Sequence, residues 1–365
     1  MVSVADIVRH LEGFAPKITQ ESYDNCGLLV GNSSSEVTGI LVALDCTEEV
    51  IEEAHKKGCN LVIAHHPIIF KGMKRITGTT YIERTVIKAI QKDVSIYAIH
   101  TNLDNHQFGV NFKIGQKLGL KNLRILAPKE GSLIKIVVFV PNDFVDTVSQ
   151  AMADQGAGQI GNYDQCSFKS GGLGSFRPSN NAQPFVGSKG IVHQENETRL
   201  EMLCRKENMD QVVSALKKTH PYEEVAYDLI PLFNQDEYQG AGMIGVLESP
   251  VRTLDFLHFI KREFNCGVIK HTEILSEYVQ RIAFCGGSGS FLLSKAKSQG
   301  AELFITSDIK YHDFFDADGQ ILIADIGHFE SEQFTVNLIE EILNEKNITF
   351  AIHFAETNTN PVKYL

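Results

Sequence analysis

The chain has 365 residues, of which 43% are hydrophobic and 22% are charged, and its formal net charge is -11 at pH 7. This length predicts two or three domains, and the composition is that of a globular protein. The acidic balance disfavours binding to nucleic acid or anionic membranes, and no apolar run reaches the roughly 18 residues of a membrane span. The first residues lack the basic start of a signal peptide, so we expect a cytoplasmic protein.

The seven cysteines are scattered, odd in number and never in a C-x-x-C arrangement. This pattern predicts reduced core residues, and it disfavours both a disulfide framework and a thiolate zinc site. The thirteen histidines are the compositional feature that bears most on chemistry.

The first part of the chain alternates predicted helices and strands. Apolar residues at helical spacing follow Ser3, a candidate cap. In the turn before the first strand, Asp24 and Asn25 are interpreted as turn formers, with a ligand role as the alternative. The predicted elements are a helix over 3–13, a turn and strand over 23–31, a strand over 39–45 and a helix over 47–58.

An apolar run over residues 61–64 stops at His65, His66 and Pro67. Such a run predicts a buried strand, and the proline prevents its continuation as a central strand. In α/β folds, ligands bind beyond the carboxyl ends of the strands. Because neighbouring side chains diverge, the histidine pair suits two metal ions that share one cleft; capping or core histidines are the alternative.

A predicted helix over 81–92 and a strand over 94–99 deliver His100 and Asp104. Strands that alternate with helices at this spacing predict right-handed βαβ units and a largely parallel sheet. In that layout His100 and Asp104 lie just past the end of the strand beside the one that carries the histidine pair. The sequence therefore predicts that candidate ligands meet at one edge of the sheet.

The far end of the chain repeats this plan. Segment 54–64 aligns without a gap with segment 296–306, which predicts a pseudo-repeated βαβ unit; chance similarity is the alternative. The last strand leads to His328 and Glu332. The predicted elements here are strands over 280–287, 302–306 and 320–325, a helix over 290–300 and a helix from 332 to about 345.

The middle of the chain has a different order of predicted elements. Strand, helix, strands, helix and strand is the order of a ferredoxin-like fold. We interpret 128–236 as an inserted α+β domain that interrupts one α/β domain made of 1–127 and 237–365. Insertions succeed at exposed loop tips, so we expect loops at the two junctions.

Five residues form the constellation that best fits metal chemistry: His65, His66, Asp104, His328 and Glu332. A spacing of four at a helix start places His328 and Glu332 on one face. Two ions roughly 3.5 Å apart, bridged by a carboxylate, would activate water for hydrolysis of a polar substrate. Unrelated cap and core residues are the alternative. A shared centre requires His328 to lie within about a dozen ångströms of His65 and His66.

These motifs together resemble the NIF-three-like family, whose members are commonly called GTP cyclohydrolase 1 type 2 homologues. The resemblance spans essentially the whole chain and rests on residues 24–31, 65–67, 100–104, 307–312 and 327–332. It implies one α/β fold built from two half-domains, a dinuclear metal centre and a toroidal hexamer. By motif, the five residues above match the family's ligands, with Glu332 as the bridge. The middle segment resembles the PII-like insert of longer members.

The resemblance implies two divalent cations, with zinc first and iron or manganese as alternatives. It suggests a metal-dependent hydrolase of a nucleotide-like small molecule, and GTP cyclohydrolase activity is the named case. That reaction needs attack at C8 of the purine, a proton donor and cations for a triphosphate. His100 would transfer protons or orient a ligand. The second hypothesis is a metal-holding or regulatory protein whose insert senses a ligand or gates the metals.

Weaker candidates each have a structural alternative. The glycine-rich run 286–290 either binds phosphate at a helix N-terminus or forms a tight turn. His312 is a candidate for supporting a ligand, and His220 with Glu223 and Glu224 forms either a second site or a turn. Four cations are candidates for phosphate binding or else solvated surface charges: Lys71, Lys74, Arg75 and Lys310.

Overall fold

A computed structural model of the protein describes residues 2–346 and 350–365. The described chain divides into two compact units, one running up to Pro128 and again from Glu237 onward, the other comprising Lys129–Asp236. Among the described helices, none has the length and apolar character needed to cross a membrane. All seven cysteines are free, and six of them are buried, as the sequence predicts.

The first unit contains a five-stranded sheet in the order β1-β4-β3-β2-β15. The strands are β1 (Gly27–Val30), β2 (Ile40–Ala43), β3 (Leu61–Ala64), β4 (Ser95–Ala98) and β15 (Ile352–Phe354). Strand β1 runs antiparallel to β4, and the other pairs are parallel. The helices of this part are α1 (Val4–Phe14), α2 (Glu48–Lys56), α3 (Tyr81–Gln91), α4 (Thr101–Asp104) and α5 (Val110–Lys117). Helix α1 begins at Ser3, whose hydroxyl accepts from the Asp6 amide, so the predicted cap is confirmed.

The same unit contains a six-stranded sheet in the order β11-β14-β13-β12-β10-β5. The strands are β5 (Lys121–Glu130), β10 (Gln235–Arg252), β11 (Lys270–His271), β12 (Tyr278–Ser288), β13 (Leu303–Ser307) and β14 (Leu322–Asp325). Strands β12, β13 and β14 are parallel, while β10 runs antiparallel to β12 and β11 runs antiparallel to β14. The helices of this part are α8 (Thr253–Glu263), α9 (Leu293–Ser298), α10 (His328–Glu332) and α11 (Thr335–Asn344).

One hydrophobic core joins the two sheets of this unit. Val42 and Tyr97 from the first sheet and Phe284 and Leu303 from the second belong to the same buried cluster, and each is less than 1% exposed. Burial of side chains this large contributes roughly 1.5–3 kcal/mol each. The unit is therefore a mixed α/β fold in which both chain segments contribute to one interior.

The second unit contains a four-stranded antiparallel sheet in the order β7-β8-β6-β9. Its strands are β6 (Leu133–Pro141), β7 (Ser167–Phe176), β8 (His193–Arg205) and β9 (Tyr227–Pro231), and its helices are α6 (Val145–Ala153) and α7 (Met209–Thr219). Val138, Val148 and Leu216 belong to its own buried core. Along the chain the order is strand, helix, two strands, helix and strand.

The structure corrects two expectations. The junctions expected as loop tips lie in strands, since β5 continues to Glu130 and β10 starts at Gln235, and the two strands are neighbours in a sheet. Their pairing joins segments far apart in sequence, which no local pattern reveals. The helix predicted to run on to about Glu345 is instead interrupted: α10 starts at His328, as the predicted helix start implies, but ends at Glu332, and α11 begins at Thr335.

Candidate metal centre

His65 follows β3 with one ring nitrogen occupied and the other free. Its side chain is fully buried, and its Nδ1 lies 2.8 Å from the carbonyl oxygen of Ile99. Because a carbonyl oxygen only accepts hydrogen bonds, Nδ1 carries the proton and Nε2 presents its lone pair. Burial lowers the pKa of His65 to about 3, which keeps the imidazole neutral. This is the form of histidine that binds a metal ion.

Asp104 is the last residue of α4, and its Oδ1 lies 3.5 Å from Nε2 of His65. Both atoms are buried, and neither has a hydrogen-bond partner among the described residues. Burial raises the pKa of Asp104, and the nearby carboxylate of Glu332 raises it further. Two ligands about 2.1 Å from one tetrahedral cation lie about 3.4 Å apart. The observed spacing therefore fits two ligands of one ion.

His66 and His328 approach each other although 262 positions separate them, and their Nε2 atoms lie 3.3 Å apart. Nδ1 of His66 donates to Asp45 at 2.8 Å, and Nδ1 of His328 donates to Asp308 at 2.6 Å. Metal-binding imidazoles are typically oriented by a carboxylate on the second ring nitrogen in this way. These bonds fix both rings so that their Nε2 atoms point toward each other and toward Oε2 of Glu332.

Glu332 lies within reach of all three imidazoles. Its Oε2 is 2.9 Å from Nε2 of His66, 3.1 Å from Nε2 of His328 and 3.9 Å from Nε2 of His65. Its side chain is 3% exposed, and α10 places it on the same face as His328. An oxygen facing three imidazole nitrogens is suited to bridging two cations.

In the absence of a metal ion, the imidazoles of His66 and His328 are protonated, and their positive charges compensate the nearby carboxylates. Burial alone would lower the pKa of His66, but Asp45 and Glu332 raise it to about 10, and Asp308 and Glu332 similarly raise the pKa of His328 to about 11. Burial would raise the pKa of Glu332, yet the hydrogen bonds from His328 and His66 hold it well below its usual value. Metal ligands must be deprotonated, so a bound cation would displace these protons.

Glycine at position 287 makes room for the Glu332 carboxylate. Its φ is +64°, and an added Cβ would lie 2.3 Å from Oε1 of Glu332. The Gly287 amide donates to Ser331 Oγ, and the Gly286 amide donates to Asn111 Oδ1, each at 2.9 Å. Because these two amides are already occupied, they support the tight-turn interpretation of the run 286–290.

His100 lies beside the cluster, with ring centroids 5.2 Å from His65 and 5.3 Å from His66. Its Nδ1 donates to Asp24 at 2.9 Å, and Asp24 also accepts from both the amide and the hydroxyl of Thr101. Burial would raise the pKa of Asp24, but the bonds from His100 and Thr101 hold it below its usual range. Asp24 therefore orients the His100 ring, a role that its interpretation as a turn former does not include.

The structure brings the five residues proposed as ligands close together: Asp104 lies beside His65, and the other four form two overlapping groups with His100. Ligand atoms of His65, His66 and His100 lie within 4.8 Å of one another, and so do those of His66, His328 and Glu332. Sequence reasoning missed Asp45 and Asp308, which orient two of the imidazoles. The sequence did contain a signal for both residues, because each carboxylate follows the end of a buried strand by one or two residues.

The weaker candidates lie elsewhere. Lys71, Lys74, Arg75 and Lys310 are exposed. His312 is exposed and contacts the rings of Tyr311 and Phe315. His220 is buried, with Nε2 bonded to the Phe139 carbonyl and Nδ1 accepting from the Tyr222 amide. Both of its nitrogens are therefore used, which fits a turn.

Comparison with known proteins gives one consistent family. The profile described as Duf34/NIF3 (NGG1p interacting factor 3) matches residues 2–361. The chain is 36% identical over 365 residues to the GTP cyclohydrolase 1 type 2 homolog of Halalkalibacterium halodurans, covering 98% of each. It is 33% identical to the protein of the same name in Staphylococcus epidermidis, covering 100% of both chains.

Solved structures agree with this result. A Bacillus cereus protein related to NIF3 is 34% identical, with a TM-score of 0.86 and coverage of 100% of this chain and 99% of that one. A Staphylococcus aureus protein is 31% identical, with a TM-score of 0.79 and the same coverage. The likeness thus extends over the whole fold.

Proposed function

This chain belongs to the Duf34/NIF3 family, and from that premise we propose that it is a dinuclear metal-binding protein and a metal-dependent hydrolase of a nucleotide-like small molecule. The observation that carries the proposal is the pair of buried atoms, Nε2 of His65 and Oδ1 of Asp104, without partners among the described residues. An unsatisfied buried polar atom costs about 1–3 kcal/mol. One cation bound by both would satisfy both.

Two divalent cations would share His65, His66, Asp104, His328 and Glu332. Zinc is the first choice and iron or manganese the alternatives, because imidazole and carboxylate ligands serve all three. Glu332 is the proposed bridge, since its Oε2 lies within 3.9 Å of three imidazole nitrogens. When bound, such a pair supplies Lewis acidity and lowers the pKa of water.

His100 is the proposed catalytic residue for proton transfer. Its Nδ1–H is held by the buried Asp24, so Nε2 is left to take a proton and return it. Asp24 is itself fixed by Thr101 and acts as a positioning residue for the ring. The alternative is that His100 orients or completes the metal centre, which its grouping with His65 and His66 supports.

The proposed substrate is a polar small molecule of the nucleotide class. The relatives named GTP cyclohydrolase 1 type 2 homolog suggest GTP as the first compound to test. Ring opening of a purine requires water attack at C8 and proton delivery to a ring nitrogen, and we propose His100 for the second task. The acidic net charge argues against nucleic acid as a substrate.

We extend the proposal to the internal repeat, the type of insert and the assembly of the protein. We take the two halves of the first unit as pseudo-repeats, supported by the parallel triplets β2-β3-β4 and β12-β13-β14, whose ends carry the candidate ligands. The second unit is proposed to be a PII-like insert, supported by its strand order β7-β8-β6-β9. We also propose that the protein assembles as a toroidal homohexamer and is located in the cytoplasm.

Metal content and turnover measured together test this function. We expect up to two divalent ions per chain, and GTP or a nucleotide-like compound to be consumed by metal-loaded protein. His65→Ala and Glu332→Ala should lose both metal and turnover. His312→Ala, which alters an exposed histidine, should keep both. Metal-loaded wild-type protein without turnover across a broad panel of nucleotides would contradict the hydrolase.

The second candidate is a non-catalytic metal-binding or regulatory protein whose insert senses a ligand or gates access to the metals. It is favoured by the separate compact unit Lys129–Asp236, which has its own hydrophobic core. Tight metal binding without turnover, together with a ligand that binds the insert, is the outcome that would select it.

A further inference from the structure

The second compact unit contains a cavity of about 990 Å³, a size typical of small-molecule sites. Its walls come from β7, from the first half of β8, from Phe139 of β6, from the 177–186 part of the segment between β7 and β8, and from residues 222–226. All of these belong to the unit Lys129–Asp236. The cavity is therefore a feature of this unit alone, independent of the metal centre.

A buried carboxylate lines this cavity. Glu197 is 8% exposed, and its Oε1 accepts a hydrogen bond from the Tyr222 hydroxyl at 2.9 Å. No described group donates to its Oε2. Charged groups are seldom buried so completely unless paired, and a hydroxyl is weak compensation for a carboxylate. Glu197 thus has acceptor capacity left for a ligand.

Glycines of the neighbouring strand lie beside this carboxylate. Gly171, Gly172 and Gly174 interrupt β7, and an added Cβ at Gly174 would lie 2.2 Å from Oε2 of Glu197. At Gly171 an added Cβ would meet nothing within 4 Å. Glycine inside a strand weakens it and often marks close approach of a ligand. The glycines leave a flat, open strip of backbone beside Glu197.

Aromatic rings form another side of the cavity. The ring of Tyr222 lies 5.9 Å from that of Phe176 and 6.3 Å from that of Phe185, measured between centroids. Such rings stack on planar groups and attract cations. The lining also includes Arg177 and Arg199 with Glu223 and Glu224, so side chains of both charge signs are present. Because Glu197 is the buried one, we expect its charge to decide which ligands are preferred.

We propose that this cavity binds a small planar molecule that presents two neighbouring N–H groups to Glu197 and lies against the glycine strip and the aromatic rings. Amidinium and guanidinium ions have this donor edge, and so does the neutral guanine ring. A carboxylate accepts two parallel N–H groups in a bidentate arrangement, which is stronger and more selective than a single bond. Anionic and purely apolar molecules are excluded by the same carboxylate.

Calorimetric titration of the full-length protein with benzamidine, guanosine and inosine tests the proposal. Benzamidine carries the charged donor edge and guanosine carries the neutral one, which consists of N1–H and the 2-amino group. Inosine keeps N1–H but lacks the 2-amino group. We expect saturable binding of benzamidine, guanosine or both, and none of inosine. Binding of benzamidine alone assigns a cationic ligand, and binding of guanosine but not inosine assigns a neutral heterocycle.

Variants distinguish this site from binding elsewhere. Glu197→Gln should weaken binding by at least about tenfold, because one acceptor oxygen and the charge are lost. Gly174→Ala should do the same by displacing the carboxylate. Glu195→Gln lies two residues along β8, outside the cavity lining, and Gly171→Ala has free space for its methyl group, so both should bind like the wild type. Circular dichroism should show each variant folded.

Two results would overturn the proposal. The first is the absence of saturable binding for both benzamidine and guanosine at millimolar concentration. The second is binding that is equally strong in the folded Glu197→Gln protein. Because metal content and GTP turnover are measured separately, either result would leave the proposed metal-dependent function unaffected.

Discussion

Nε2 of His65 and Oδ1 of Asp104 lie 3.5 Å apart in the interior, and neither makes a hydrogen bond within the described chain. Independent contacts hold the two residues: Nδ1 of His65 donates to the Ile99 carbonyl, and the backbone carbonyl of Asp104 accepts from the Asn111 side chain. Folded proteins rarely leave buried polar atoms unsatisfied. This pair therefore indicates a partner that is not a side chain.

Asp104→Asn should have opposite effects with and without metal. In metal-free protein we expect an unchanged or higher melting temperature, because the substitution removes a buried charge. With zinc present, the metal-dependent rise of the melting temperature should shrink, since a ligand is lost. Calorimetry with chelator and with zinc measures both. Asp318→Asn, at the exposed end of a short turn, is the control, and an equal zinc effect in Asp104→Asn would contradict the assignment.

Gly287→Ala should destabilise the protein and lower its metal affinity. The left-handed backbone costs about 1–2 kcal/mol for alanine, and the methyl group would also displace Glu332. Gly319→Ala is the matched control, because its φ of +62° is nearly the same and nothing lies within 4 Å of an added Cβ. Chemical denaturation and metal titration of both variants should show a larger loss at 287. Equal losses would mean that Glu332 is not held by this turn.

Asp45→Asn should weaken metal binding by about tenfold to a hundredfold, because Asp45 orients the His66 ring. Asp45 also accepts from Thr359 in the C-terminal segment. Glu53→Gln is the control, since Glu53 holds the same segment through the amide and hydroxyl of Thr357. If both variants lost affinity equally, the segment rather than the Asp45–His66 bond would be responsible.

Glu53 should make the docking of the C-terminal segment depend on pH. Burial opposes ionisation, but hydrogen bonds from the Glu356 amide, Lys57 and Thr357 together outweigh it and lower the pKa of Glu53 to about 2 from 4.5. A depressed pKa means stabilisation that is complete above pH 4.5 and is lost as the pH falls toward 2. The difference in unfolding free energy between wild type and Glu53→Gln should therefore shrink over that range. A constant difference would show that the ionised carboxylate is not the stabilising form.

Deletion of residues 128–236 should leave metal binding intact. The candidate ligands all lie in the other compact unit, and β5 and β10 are neighbouring strands that a short hairpin can join. Elemental analysis of the folded deletion variant measures the outcome beside the full-length protein. Loss of stoichiometric metal from the folded variant would show that the second unit contributes to the site.

The sequence is most informative where local rules decide the structure. The apolar run before His65 and the proline after His66 predict the strand end that β3 confirms. Capping chemistry at Ser3 likewise predicts the start of α1. The family resemblance is confirmed over nearly the whole chain. In these cases the signal lies within a few residues of the feature it predicts.

What the sequence missed depends on distant partners. Asp24 looks like a turn residue because its partners, His100 and Thr101, lie more than seventy positions away. The sequence predicts loops at the two junctions, where β5 ends and β10 begins, because the pairing of these strands joins segments that are far apart in the chain. The break between α10 and α11 falls after Glu332, where helical periodicity alone predicts continuity.

The contact between His66 and His328 spans 262 positions, with the second compact unit between them in the chain. During synthesis, the ribosome must therefore release the chain beyond His328 before these two rings can meet. A nascent chain that stalls or is cleaved earlier presents His65 and His66 without their distant counterparts. Acquisition of a cation held by both halves would then report that synthesis had passed Glu332.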